Sequence, residues 1–153
     1  MIVPLTLIIQ TIVTFVCITC FSIILNVPKK ELLFCGLTGA VGWFASRFVL
    51  ILDPNVFILA NFVGTLALTA VSRVLSYARK TPVLVYLIGG ILPLVPGAGI
   101  YYTVYEFIIN NNDTAGLLYG IETAKVTGVI AIGIICILSL PRFMFDYRRK
   151  RRV

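Results

Sequence analysis

Residues 87–105 read LIGGILPLVPGAGIYYTVY, and the reading of this stretch decides the fold. Gly89, Gly90, Pro93, Pro96, Gly97 and Gly99 interrupt an otherwise apolar run. Proline removes a backbone donor and clashes with the preceding turn, and glycine raises the entropic cost of helix. The hydropathy calls for burial in a bilayer, while the composition opposes one continuous helix. Inside lipid, broken backbone persists only where protein or a polar cavity satisfies its amides and carbonyls. The stretch therefore predicts a half-helix, a non-helical break from Pro93 to Gly99, and a second half-helix. That device builds binding sites at the bilayer midplane.

Composition agrees with a bilayer setting. The 153 residues are 59% hydrophobic and 12% charged, and the mean hydropathy is +1.03. A soluble domain is about one quarter charged. The net charge of +7 comes from basic residues clustered in short segments between apolar runs. This suits membrane topology better than a nucleic-acid surface, which needs a basic face on a folded domain. There is no histidine, which removes the commonest metal ligand and general base. Cys17, Cys20, Cys35 and Cys136 all sit in apolar runs and read as small hydrophobes rather than as redox or metal centres. No catalytic constellation, metal cluster or phosphate loop is present, so neither an enzyme nor a cofactor is expected. The first residues, MIVPLT, lack a basic leader, so the first apolar run is expected to stay as a span.

Outward from the broken segment, the chain divides into apolar runs at residues 2–25, 32–52, 56–77, 83–109 and 115–140. The prediction is an all-α polytopic membrane protein of five transmembrane helices, with the fourth broken. Residues 1–141 form a single transmembrane domain and residues 142–153 a basic cytoplasmic tail. Lys29 and Lys30, Arg79 and Lys80, and the tail are basic, whereas the turns at 53–55 and 110–114 hold no Lys or Arg. The positive-inside rule then puts the N-terminus outside and the C-terminus in the cytoplasm. Thr38, Gly42 and Ser46 form a ridge for close helix approach on the second span. Gly116, Gly120, Ala124 and Gly128 do the same at strict four-residue spacing on the fifth. Asp113 or Thr114 is the expected cap of that last helix.

Depth counting places Pro96 about 20 Å into span four from one side and Lys125 about 15 Å into span five from the other. Both fall near the bilayer centre, where an unpaired Lys is costly and a functional candidate by default. A helix starting near Gly97 and Gly99 leaves its first N–H groups unpaired and presents its positive dipole end. Pro96, Gly97, Gly99, Tyr101, Tyr102 and Lys125 thus form a candidate site for a small carboxylate-bearing solute, with Tyr105 adding aromatic surface. Glu122 lies one turn from Lys125 and either neutralises it or shares its role. Glu106 either carries a coupling proton, meets a substrate ammonium or pairs with Arg47; Arg47 otherwise snorkels to the headgroups. Asn61, Thr65, Thr69 and Arg73 form a polar stripe on span three, either lining a pathway or bonding a neighbouring helix.

The run LVPGAGIYYTVYEFI, followed by a polar gap and GIETAKVTGVIAIGI, resembles the threonine/serine exporter family. The closer resemblance is to its split, small-subunit form, typified by the membrane subunit of a bacterial succinate exporter pair. It covers essentially the whole chain. The resemblance implies a multi-pass subunit of a secondary exporter in the bacterial cytoplasmic membrane, working with a larger membrane subunit. The implied solute is a dicarboxylate such as succinate, or threonine and serine, and the expected driving force is the proton gradient. The competing expectations are a non-transporting scaffold and a self-sufficient homo-oligomeric channel.

Overall fold

The computed structural model describes residues 2–141, and side chains from residue 5 onward. The basic tail expected at 142–153 lies outside the described residues. Within them the chain is all-helical, with α-helices α1 (Ile2–Ile24), α2 (Leu32–Leu52), α3 (Phe57–Arg79), α4 (Val83–Ile91), α5 (Gly97–Ile108) and α6 (Asp113–Leu138). A single 3-10 turn, Leu92–Leu94, follows α4. No strand occurs among the described residues. α1, α2, α3 and α6 are each long and apolar enough to cross a membrane, and α4 with α5 makes a fifth such segment, bent by 55°.

Short polar segments stop the helices in recognisable ways. Asn26, Lys80 and Asn111 adopt positive φ of 55°, 57° and 47° in the connections after α1, α3 and α5. Asparagine tolerates that left-handed conformation better than most residues. Asp53 Oδ1 accepts the Asn55 N–H at 3.0 Å, a local turn that separates α2 from α3. The cap of α6 is Asn112, whose side chain accepts the Ala115 N–H at 3.2 Å, rather than Asp113 or Thr114. Asp113 instead occupies the first turn, where a carboxylate suits the positive dipole end.

The interruption in the fourth segment is shorter than the sequence suggests. Pro93 is taken into the 3-10 turn, Val95 is extended, and Gly97 and Gly99 already belong to α5. Proline is tolerated in a first turn, where its missing N–H has no acceptor to lose. The break therefore spans residues 92–96 and not 93–99.

The core forms where α2 crosses α3 and the break inserts between them. Thr38, Gly42 and Ser46 of the α2 ridge are all buried. A Cβ on Gly64 would meet the Gly42 carbonyl oxygen and the Ser46 Cβ at 2.8 Å each. The absence of side chains at Gly42 and Gly64 also leaves the space filled by Leu94, which is within 3.4–3.6 Å of both would-be Cβ positions. Leu94 joins Leu68, Val126 and Ile130 in a buried cluster flanked by Ile91 and Ile134. Thr38 Oγ1 donates within bonding distance of the Cys35 and Tyr86 carbonyls, tying α2 to α4. The 3-10 turn is thus anchored by an apolar plug and α4 by a polar stitch.

One end of the bundle is held by ionic contacts. Glu31 Oε2 accepts from Arg79 Nε and from Tyr86 Oη, each at 2.6 Å. The Arg79 guanidinium also lies 4.3 Å from the Phe34 ring centroid and donates to the Lys30 carbonyl. Glu31 stands in the loop before α2, and the hydrogen bond from Arg79 holds its carboxyl below the usual carboxylate range. A depressed folded-state pKa gives stability that is present above the unfolded value, near 4.3 for Glu, and is lost as pH falls through the folded value. Thermal unfolding in detergent should show this as a fall in Tm on acidification below about pH 4.3. Glu31→Gln should remove that component and lower Tm at neutral pH by roughly 2–4 °C.

Candidate functional site

A pocket of about 910 Å³ opens between the N-terminal half of α3, the break and the middle of α6. Residues 55–59 and Phe62 form one wall. Pro96, Ala98 and Gly99 form the floor, and Tyr119, Glu122, Thr123, Lys125, Val126, Val129 and Ile132 form the other wall. The lining is mostly apolar with a few convergent polar groups, the usual character of a small-molecule site.

The floor owes its chemistry to the start of α5. The Gly97 N–H bonds the Val95 carbonyl at 2.8 Å, and the Ile100 N–H bonds the Pro96 carbonyl at 3.1 Å. Between them, the Ala98 and Gly99 amides have no carbonyl one turn back to bond, because Pro93, Leu94 and Val95 run out of helical register. Both residues line the pocket. Two free amides at a positive helix end make an anion-accepting floor. A Cβ at Gly99 would come within 2.3 Å of Thr123 Oγ1, so glycine there lets α5 approach α6.

Lys125 and Glu122 supply the full charges. Both are solvent-exposed in the isolated chain and line the pocket. They form no ion pair with each other; the ion pair seen among the described residues is Arg79 with Glu31. Among the described residues, these two opposite charges near the centre of α6 have no ion-pair partner.

The remaining expected residues lie elsewhere. Gly97 is in the first turn of α5 but not in the lining, and a Cβ there would meet nothing within 4 Å. Tyr101 and Tyr102 are exposed and not among the lining residues; their rings lie 5.5 Å apart, Tyr101 stacks on Tyr105 at 5.9 Å and Tyr102 packs against Tyr119 at 5.7 Å. The two tyrosines sit one turn further along α5 than Ala98, and the pocket lining on this helix ends at Gly99. Glu106 accepts from Asn110 Nδ2 at 3.1 Å on its own helix end, and Arg47 sits 4.3 Å over the Trp43 ring, so the two do not pair. Asn61, Thr65 and Thr69 are buried, and each side chain donates to the carbonyl four residues earlier at 2.7–2.9 Å. Gly116 abuts the Phe107 ring and Gly120 faces Thr103, whereas Ala124 is exposed and Gly128 faces open space.

The residues that sequence reasoning passed over include Ala98, Thr123, Tyr119 and the largely apolar wall of residues 55–59 with Phe62. Thr123 sits inside the run ETAK, between the two charges, and that adjacency was the available signal. The apolar wall carried none, because an apolar side chain in a span looks the same whether it faces lipid or a pocket.

Long apolar helices around a charged, amide-floored pocket define a multi-pass membrane protein. Residues 10–140 match the family described as threonine/serine exporter, ThrE, and the chain belongs to that family. The family is one of transporters, not enzymes. An uncharacterised protein of Haemophilus influenzae is 27% identical over 138 residues, which is 85% of this chain and 44% of that protein. A probable threonine/serine exporter of Mycobacterium tuberculosis is 24% identical over 78 residues, 51% of this chain and 15% of that protein. The chain thus spans less than half the length of these curated relatives. No solved structure matches it.

Proposed function

We propose that this chain is the membrane subunit of a secondary exporter of small carboxylate solutes, with five spans, the N-terminus outside and the C-terminus cytoplasmic. The observation that carries the reading is that Lys125 lines the same pocket as Ala98 and Gly99, whose amides start α5. A carboxylate there meets a cation and a helix N-terminus together. Glu122 in the same pocket suits the ammonium of threonine or serine and repels the second carboxylate of succinate. The amino acids are therefore the favoured solutes.

A larger partner subunit completes the site in this reading. α5 has no buried residue and packs chiefly on α6, and Glu122 and Lys125 are uncovered in the isolated chain. Lipid cannot solvate that face, so protein or water must. The greater length of the curated relatives fits the same view.

Reconstitution tests the proposal. Proteoliposomes carrying this chain with a candidate partner should release labelled threonine or serine when a proton gradient is imposed, and succinate more slowly. Flux by this chain alone would favour the homo-oligomeric channel. No flux of any of the three solutes with the partner present would leave only a scaffold.

A further inference from the structure

We propose that Arg73 is the latch that holds the pocket shut toward the cytoplasm. The inference rests on the topology and transport reading above. α3 and α6 pack side by side in the same direction, and Gly133 of α6 meets Thr65 of α3 in close contact. A Cβ on Gly133 would lie 3.0 Å from Thr65 Cγ2. On one side of that contact the pocket lies between residues 55–59 and Phe62, at the start of α3, and residues of α6 from Tyr119 to Ile132. On the other side Arg73 joins them: its two terminal nitrogens donate to the Ile137 and Leu140 carbonyls in and just beyond the last turn of α6.

Arg73 is buried, and the carbonyls it engages belong to the negative end of the α6 dipole. Thr65 is eight residues from both Phe57 and Arg73, so the two arms of α3 are each about 12 Å long. The arrangement is a rocker pivoting on a glycine contact, with the pocket arm open and the Arg73 arm closed. An exporter must load from the cytoplasm, so the closed arm must open during each cycle. Releasing it breaks the charge-assisted hydrogen bonds to the Ile137 and Leu140 carbonyls, and rocking about Thr65 and Gly133 brings the pocket walls together. Arg73 is not among the residues that line the pocket, so it acts by setting which side the pocket faces.

The test is side-specific labelling. Val129→Cys, in the pocket wall, is placed in a chain whose four native cysteines are replaced. A membrane-impermeant maleimide is then applied to right-side-out and to inside-out vesicles. The parent should label from the outside. Arg73→Met should raise the inside-out labelling rate about tenfold, as a state of a few per cent population becomes comparable with the other. Arg73→Lys keeps the cation but cannot bridge both carbonyls, and should give a smaller rise. Unchanged inside-out labelling in both variants overturns the latch, as does an equal rise from both sides, which marks general loosening. Absence of labelling of the parent from either side overturns the pocket reading and the latch with it.

Discussion

Lys125→Met abolishes solute export while leaving helix content and membrane insertion unchanged. The substitution keeps the length and apolar stem of the side chain and removes only the charge. Lys125 is exposed and forms no ion pair among the described residues, so none of them loses a charged partner with it. The pocket keeps its two floor amides but loses the cation beside them. A charge-assisted contact to a carboxylate contributes on the order of tenfold or more in affinity. Lys125→Arg should retain part of the activity, since the cation persists with a different donor geometry. Equal export by wild type and Lys125→Met in proteoliposomes would rule out a carboxylate at this site.

Gly64→Leu yields no stable folded protein. Even the Cβ of an alanine there would stand 2.8 Å from the Gly42 carbonyl oxygen, and backbone cannot swing aside as a flexible side chain can. Gly64→Ala forces α2 and α3 apart and loosens Leu94, which fills the gap beside them. Overpacking of this kind costs about 1–3 kcal/mol, so Tm should fall by roughly 2–12 °C. Leucine adds a branched side chain to the same clash. Gly128→Leu is the contrasting case, because a Cβ there meets nothing within 4 Å. Its Tm should not fall in the isolated chain and should rise by a few degrees, because leucine costs less in a helix interior than glycine. Size-exclusion chromatography and thermal unfolding in detergent check both.

The long helices were legible because they are uninterrupted apolar runs bounded by polar turns; α2 occupies residues 32–52, as expected. The interruption was legible in kind but not in extent. Sequence counts Pro and Gly as breakers alike, whereas here Pro93 enters a 3-10 turn and Gly97 and Gly99 enter helix. Lys125, Glu122, Pro96 and Gly99 could be placed near one another by counting rise per residue from the two ends. Tyr101 and Tyr102 could not be excluded in this way, because they share a helix face with Ala98 and the lining stops at Gly99 for reasons of depth that no local period reports. Arg73 was visible as the end of a polar stripe, but its acceptors lie more than 60 residues away in the chain. No local period reports such a contact. The expected small-residue row on α6 also split, with Gly116 and Gly120 covered by α5 and Gly128 left open.

The shortness of α4 and α5 bears on how the chain is made. α4 has 9 residues and α5 has 12, about 14 Å and 18 Å of helix, and a bilayer core is about 30 Å thick. Neither is a stop or start signal that insertion machinery can recognise alone. The pair must therefore partition during synthesis as one unit, with the kinked peptide groups at 95–96 shielded from lipid by helices already in place. α2 and α3 precede the kink and supply the seat for Leu94, so the order of elements along the chain is also a workable order of assembly.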